Sequence, residues 1–186
     1  MKKSRLKKET LYEERDEKER AEFDEKLAEI PQETEVAYVD ESGVQTQMRR
    51  IRGRAKRGVK IPLEIRGKRA KKLNVIAGYS GGKILAETTY AWNTDSEWFL
   101  CWFEFSLIPQ LSPESVVIMD NASFHNVKLL NIIAEAYGHK IIFLPKYSPD
   151  KNPIEHFWGT MKTWLRNYSI FFHSIRSAIQ AFFNRK

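Results

Sequence analysis

Three acidic side chains, Asp40, Asp120 and Glu155, stand in sequence contexts that suit the binding of a hard divalent cation. Asp40 follows the apolar run Val36-Ala37-Tyr38-Val39 and leads into Glu41-Ser42-Gly43. Asp120 follows Val116-Val117-Ile118-Met119 and leads into further polar residues. Each context reads as a strand ending in an aspartate at a polar turn. A single aspartate of this kind commonly does no more than close its turn. Two of them on neighbouring parallel strands would meet beyond the carboxyl ends of those strands, where sheets with helical crossovers gather functional groups. Carboxylates placed so close cannot both stay ionised cheaply. A magnesium or manganese ion relieves that repulsion, because both metals prefer oxygen ligands.

Glu155 lies in the string Tyr147-Ser148-Pro149-Asp150-Lys151-Asn152-Pro153-Ile154-Glu155-His156-Phe157-Trp158. Asn152 predicts a helix cap and Pro153 the first helical residue, so Glu155 takes the third position. A glutamate there can close a capping box, and the positive end of the helix favours its ionised form. The structural and the metal-binding roles are therefore compatible. Ile154, Trp158, Met161 and Leu165 form an apolar stripe on this helix, with Glu155, Gly159 and Lys162 on an adjacent line. Gly159 leaves room one turn beyond Glu155. Lys162 and Arg166 continue that side, as phosphate contacts or as solvated surface residues.

The elements that must position these groups follow from the apolar patterning. Residues 1 to about 34 are almost wholly charged or polar and predict a solvent-exposed linker helix from about Lys8 to Ile30, stopped by Pro31. Strands are predicted at Val36–Val39, Val44–Ile51, Leu73–Tyr79 and Lys83–Tyr90, the last two joined by the hairpin turn Ser80-Gly81-Gly82. Trp98, Phe99, Trp102, Phe103 and Phe105 fall at helical spacings behind a cap at Thr94 or Asp95, and they read as core. Val116–Met119 is apolar throughout, as in a strand buried on both faces. A helix from Asn126 to Tyr137, a strand from Lys140 to Leu144, the Glu155 helix to about Tyr168 and a last helix from about Ser174 to Phe183 complete the chain. An early antiparallel meander followed by helix-separated parallel strands gives an α/β fold with a mixed sheet and helices on both faces.

The chain has 186 residues and a net charge of +7, concentrated in one place. Between Arg49 and Lys72 there are twelve basic residues and one acidic residue, whereas the remainder carries 19 basic against 23 acidic. A local positive band suits a polyanion such as nucleic acid, though a solvated loop has the same composition. Arg49, Arg50, Arg52, Arg54, Lys56, Arg57 and Lys60 are the candidate backbone contacts, with Lys162 and Arg166 on the Glu155 helix. Cys101 is the only cysteine, which excludes an internal disulfide or a cysteine-based zinc site, and its apolar surroundings read as core. The amino terminus lacks a signal peptide, and the apolar stretch Trp98–Ile108 is far shorter than the roughly 20 residues of a membrane span. A cytoplasmic, nucleoid-associated protein with no membrane contact is expected.

The pieces Tyr38-Val-Asp-Glu-Ser-Gly43, Met119-Asp-Asn-Ala-Ser-Phe-His125 and Ser148–Trp158 resemble the mariner superfamily of DDE transposases. The likeness is to the bacterial insertion-sequence branch, whose spacing matches the 34 residues between Asp120 and Glu155, and it extends over about residues 10 to 170. It implies a ribonuclease-H-like mixed five-stranded sheet flanked by helices, with residues 35–170 as catalytic domain, 1–34 as charged helical linker and 171–186 as carboxyl-terminal helix. Asp40, Asp120 and Glu155 become the catalytic acids and ligands of two magnesium or manganese ions, serving DNA strand cleavage and transfer. The implied partners are double-stranded DNA, both element ends and a TA target, and a second copy in a synaptic dimer. His125 and His156 are open to phosphate contact or a packing role and stand outside the catalytic set.

Two departures qualify the likeness. Lys151 replaces the usual leucine of the third motif, and no helix-turn-helix domain precedes the linker. The second departure suggests either the downstream frame of a split element, partnered by an upstream helix-turn-helix protein, or a decayed copy. A non-catalytic remnant that binds DNA or a partner subunit is therefore one rival reading. A ribonuclease H or junction resolvase on the same fold is the other.

Overall fold

The computed structural model describes residues 15–45, 56 and 72–185. Its centre is a five-stranded sheet in the order β3-β2-β1-β4-β5. The strands are β1 (Val36–Gln45), β2 (Lys72–Ser80), β3 (Lys83–Tyr90), β4 (Val116–Met119) and β5 (Lys140–Phe143). β1–β2 and β2–β3 pair antiparallel, while β1–β4 and β4–β5 pair parallel. The helices are α1 (Glu17–Ala28), α2 (Ser96–Trp102), α3 (Val127–Ala136), α4 (Ile154–Tyr168) and α5 (Ile175–Phe183).

Side-chain alternation sorts the helices between the two faces of the sheet. On one face Val39, Ile76, Val117 and Met119 pack with Phe99, Trp102, Phe103, Leu107 and Leu130, from α2, the turns after it and α3. On the other, Val44, Leu73, Val75 and Ala77 meet Ile154, Trp158, Met161 and Leu165 of α4 and the buried stripe of α5. Both faces of β4 are covered, and all four of its residues are buried. α2 starts at the Asp95 cap, whose side chain accepts from Trp98 N, and runs into a wider π turn at Phe103–Leu107. Asn126 caps α3, and Gly138 at φ +79° follows its end.

Three expectations are corrected. The first is the turn predicted at Asp40–Gly43, with a new strand from Val44. β1 instead runs unbroken to Gln45, because residues 40–43 find antiparallel partners in Ala77–Asn74 and that pairing outweighs their turn preference; residues 46–51 lie outside the described residues. The second is Cys101, which is exposed: Phe99, Trp102 and Phe103 take the inward side of α2 and turn Cys101 away. Phe105 is likewise 70% exposed on the π turn. The third is the solvent-exposed helix before Pro31. Its described part, α1, buries Arg20 and Phe23, with Phe23 packed against Val116, Ile118 and Leu144.

A docked α1 predicts a measurable cost for removing its anchor. Phe23→Ala should lower the unfolding free energy by about 3 kcal/mol in denaturant titration. A freely solvated helix would show a change within about 0.5 kcal/mol.

Candidate active site

The parallel register of β1 with β4 ends at Val39 opposite Met119, and the next residue on each chain is an aspartate. β1 continues along β2 while β4 stops, so Asp40 sits within a strand and Asp120 just past the end of its neighbour. The chain from β5 turns through Leu144–Pro149 and a short 3-10 turn, Pro149–Lys151, into α4, which brings up Glu155. Asp40, Asp120 and Glu155 thereby line one open cleft of about 470 Å³, together with Asn121, Lys146, Ser148 and Asn152.

The electrostatics of the cleft are those of crowded acids. Burial raises the pKa of Asp40 to about 7, and the nearby charges of Glu155 and Asp120 push it the same way. Two hydrogen bonds oppose the shift, one from the backbone of Glu41 and one from the indole of Trp158. Trp158 Nε1 donates to Asp40 Oδ2 at 3.0 Å, and the ring is buried in the α4 core. A buried indole N–H needs an acceptor, and here the acceptor is the acid on β1.

This donor set fits a divalent cation. All three groups offer oxygen, and the strained anion at Asp40 is the one a cation would favour most. Among the described residues no three His, Cys, Asp or Glu side chains form a ready-made cage. The acids converge on the cleft without closing around a common point.

A second layer supports the aspartates from the opposite side. His125 Nδ1 lies 2.9 Å from the carbonyl oxygen of Asp120, and its ring packs on Phe99 and Phe124 with centroids 4.3 and 4.5 Å apart. A carbonyl only accepts, so Nδ1 carries the proton. Burial lowers the histidine pKa against the pull of Asp120 and so disfavours the charged ring. The neighbouring Glu41 accepts from Thr94 Oγ1 at 2.8 Å. The Thr94 proton being used there, Tyr90 Oη donates to Thr94 at 2.7 Å. Glu41 also lines a second, smaller pocket with Asp40, Asp120 and His125.

The structure brings the three predicted acids together and leaves most predicted DNA contacts untouched. Arg49, Arg50, Arg52, Arg54, Arg57 and Lys60 lie outside the described residues. Lys56 and Arg166 are exposed and Lys162 is half-buried. His156 is exposed and does not line the cleft. The predicted cap at Asn152 is corrected: α4 begins at Ile154 with no side-chain cap, and Asn152 is buried with Oδ1 unpartnered at the cleft wall. The Asn152 backbone is extended, as a cap's would be, but its side-chain oxygen accepts no bond from the helix. Sequence reasoning missed the Trp158–Asp40 bond, although a tryptophan on a buried stripe signals an N–H in search of a partner. It also missed the contacts of α1 with residues 148–151, which link positions more than a hundred residues apart and have no local signal.

The raised Asp40 pKa has a direct effect on stability. The folded protein holds this proton more tightly than the unfolded chain, so the group favours folding at acid pH. That advantage is lost as pH rises from about 4 through about 7. The metal-free protein should therefore have a lower unfolding midpoint at pH 8 than at pH 5.5, and Asp40→Asn should flatten that slope. Thermal unfolding across this range is the check; an equal slope in wild type and variant would reject the assignment.

A model of the DDE superfamily endonuclease family matches residues 35–177. No curated protein matches significantly. Among solved structures, the catalytic domain of Mos1 mariner transposase is similar at a TM-score of 0.62 and 12% identity, over 97% of this chain and 86% of that one. A pre-cleavage Mos1 transpososome is similar at a TM-score of 0.68 and 13% identity, over 100% of this chain and 60% of that one. A Mos1 paired-end complex with the left transposon end reaches 0.65 at 14% identity, over 89% and 53%. The chain thus spans a little over half the length of these longer Mos1 chains. At such identities the likeness shows the fold: a ribonuclease-H-like mixed five-stranded sheet flanked by helices. The family match runs from just before the strand that carries Asp40 into α5 and takes in all three cleft acids, and on that ground the chain belongs to the DDE superfamily endonucleases.

Proposed function

We propose that this chain is the catalytic domain of a DNA transposase, of the mariner superfamily and its bacterial insertion-sequence branch. The observation that carries the reading is the convergence of Asp40, Asp120 and Glu155 on one cleft, where burial and the neighbouring charges push Asp40 towards its neutral form. These residues would hold two magnesium or manganese ions, which when bound activate water or a 3′-hydroxyl and stabilise the leaving oxygen. Mos1, similar in fold, has been crystallised as a paired-end complex with either metal. Within the site Trp158 fixes one oxygen of Asp40. His125 fixes the backbone of Asp120, whose side chain is 58% exposed and free to meet substrate.

The substrate in this reading is double-stranded DNA, first the element's own ends and then a TA target. Arg49, Arg50, Arg52, Arg54, Lys56, Arg57 and Lys60 supply sequence-independent contacts to phosphate, joined by Lys162 and Arg166 of α4. Residues 35–170 form the catalytic domain, 1–34 the linker and 171–186 the terminal helix. The active form is a synaptic dimer at the nucleoid.

Asp40→Asn, Asp120→Asn and Glu155→Gln should each reduce cleavage of end-containing duplex in manganese by more than about a hundredfold, beyond the usual cost of losing a residue that supports a metal ligand. DNA retention in a gel-shift assay should persist. Cleavage confined to RNA–DNA hybrids would point to a ribonuclease H, and a wild-type chain that binds DNA without cutting it would be a non-catalytic remnant. For the basic band, neutralising two contacts such as Arg52 and Arg54 should reduce the salt dependence of DNA binding, by a log–log slope of about 0.9 per lost phosphate contact. An unchanged slope would place the DNA elsewhere.

A further inference from the structure

The loop that delivers Glu155 is irregular. Tyr147 adopts φ +52°, a left-handed conformation that non-glycine residues rarely take. Between Ser148 and Glu155 its backbone is linked mainly by short-range bonds: Lys151 N to Ser148 O at 3.0 Å, Asn152 N to Pro149 O at 3.0 Å and Glu155 N to Asn152 O at 3.1 Å. Such bonds preserve the local shape of the loop without fixing it to the sheet. A long-range tie comes from α1. Arg20, almost fully buried, donates from one guanidinium nitrogen to Ser148 Oγ at 2.7 Å and to Asp150 Oδ1 at 3.1 Å, and from the other to Asp150 Oδ2 at 2.7 Å. This two-pronged grip on a carboxylate fixes orientation as well as distance. Ser148 is itself buried at the cleft wall and donates its own proton to Lys146 O at 3.1 Å. A second bond runs parallel: Lys151 Nζ reaches both carboxylate oxygens of Asp24 at 2.5 and 2.7 Å. The residue that departs from the family's third motif therefore has a partner on α1.

We propose that Arg20 is a positioning residue of the active site: through Ser148 and Asp150 it fixes the loop that presents Asn152 and Glu155 to the cleft. α1 is then a part of the catalytic machinery and not merely a connection to it. The proposal rests on the metal-dependent reading of the acid cluster, and the test separates the two.

Arg20→Lys keeps a charge but loses the fork, and Arg20→Met loses both; Asp150→Asn weakens the same grip from the loop side. Amide hydrogen exchange on the folded chain reads loop position without any metal. Manganese titration, followed by electron paramagnetic resonance, reads the acid cluster, with Asp40→Asn as reference. The expected result is faster exchange confined to residues 146–156, unchanged exchange in β1 and β4, and manganese affinity lower by about tenfold or more. Turnover on DNA should fall with KM little changed. Arg20→Lys should recover stability but not affinity. Exchange that rises equally through the sheet, or manganese affinity within about twofold of wild type when loop exchange has risen, overturns the proposal. A wild-type chain that takes up no manganese refutes the metal reading instead, and the exchange pattern alone then decides whether Arg20 holds the loop.

Discussion

Where β1 and β4 stop pairing, the hydrogen-bonded ladder between them gives way to two side chains of like charge. The rest of the site is arranged around that abrupt change. The sheet centre is among the most deeply buried parts of the molecule, with Val39, Val117, Ile118 and Met119 all at 2% exposure or less. Asp40 follows directly and shares enough of that environment to be pushed towards its neutral form. A sheet of this kind tolerates an acid at its centre only if something offsets the desolvation. The protein offsets part of it with the indole of Trp158 and a backbone N–H.

The fold achieves this by giving α4 two tasks. Its apolar stripe, Ile154, Trp158, Met161 and Leu165, seals one face of the sheet, and Glu155 beside that stripe faces the cleft. Trp158 belongs to both functions, since one side chain fills the core and hydrogen-bonds the acid. On the opposite face α2 contributes Phe99 and the loop before α3 contributes Phe124, the aromatic walls that hold His125 under Asp120. Each aspartate is thus braced from a different side of the sheet.

Much of this was legible in the sequence, and for identifiable reasons. Apolar runs ending in Asp40 and Asp120 announced the two central strands, and the 3.6-residue stripe from Ile154 to Leu165 announced α4 and the side on which Glu155 lies. These signals are local. The continuation of β1 through Asp40–Gly43 was not legible, because it depends on a partner strand beginning some thirty residues later. Asn152 looked like a cap for the same reason: its local context is that of a cap, and only in the folded chain does its side chain lie buried at the cleft wall with no helix amide bound. The docking of α1 was hidden most completely. Its composition is that of a solvated helix, and Phe23, Arg20 and Leu27 reveal its inner side once the sheet and the 147–152 loop are in place.

The pairing of Lys151 with Asp24 has a consequence for how such proteins can be recombined. A gene fusion that joins a foreign amino-terminal module at Glu35 would separate the two halves of an ionic match and discard the guanidinium that Ser148 and Asp150 require. Chimaeras between relatives should stay compatible only when the junction falls ahead of Arg15, so that helix and loop are inherited as one piece. Substitutions at positions 24 and 151 would then be expected to travel together through the lineage.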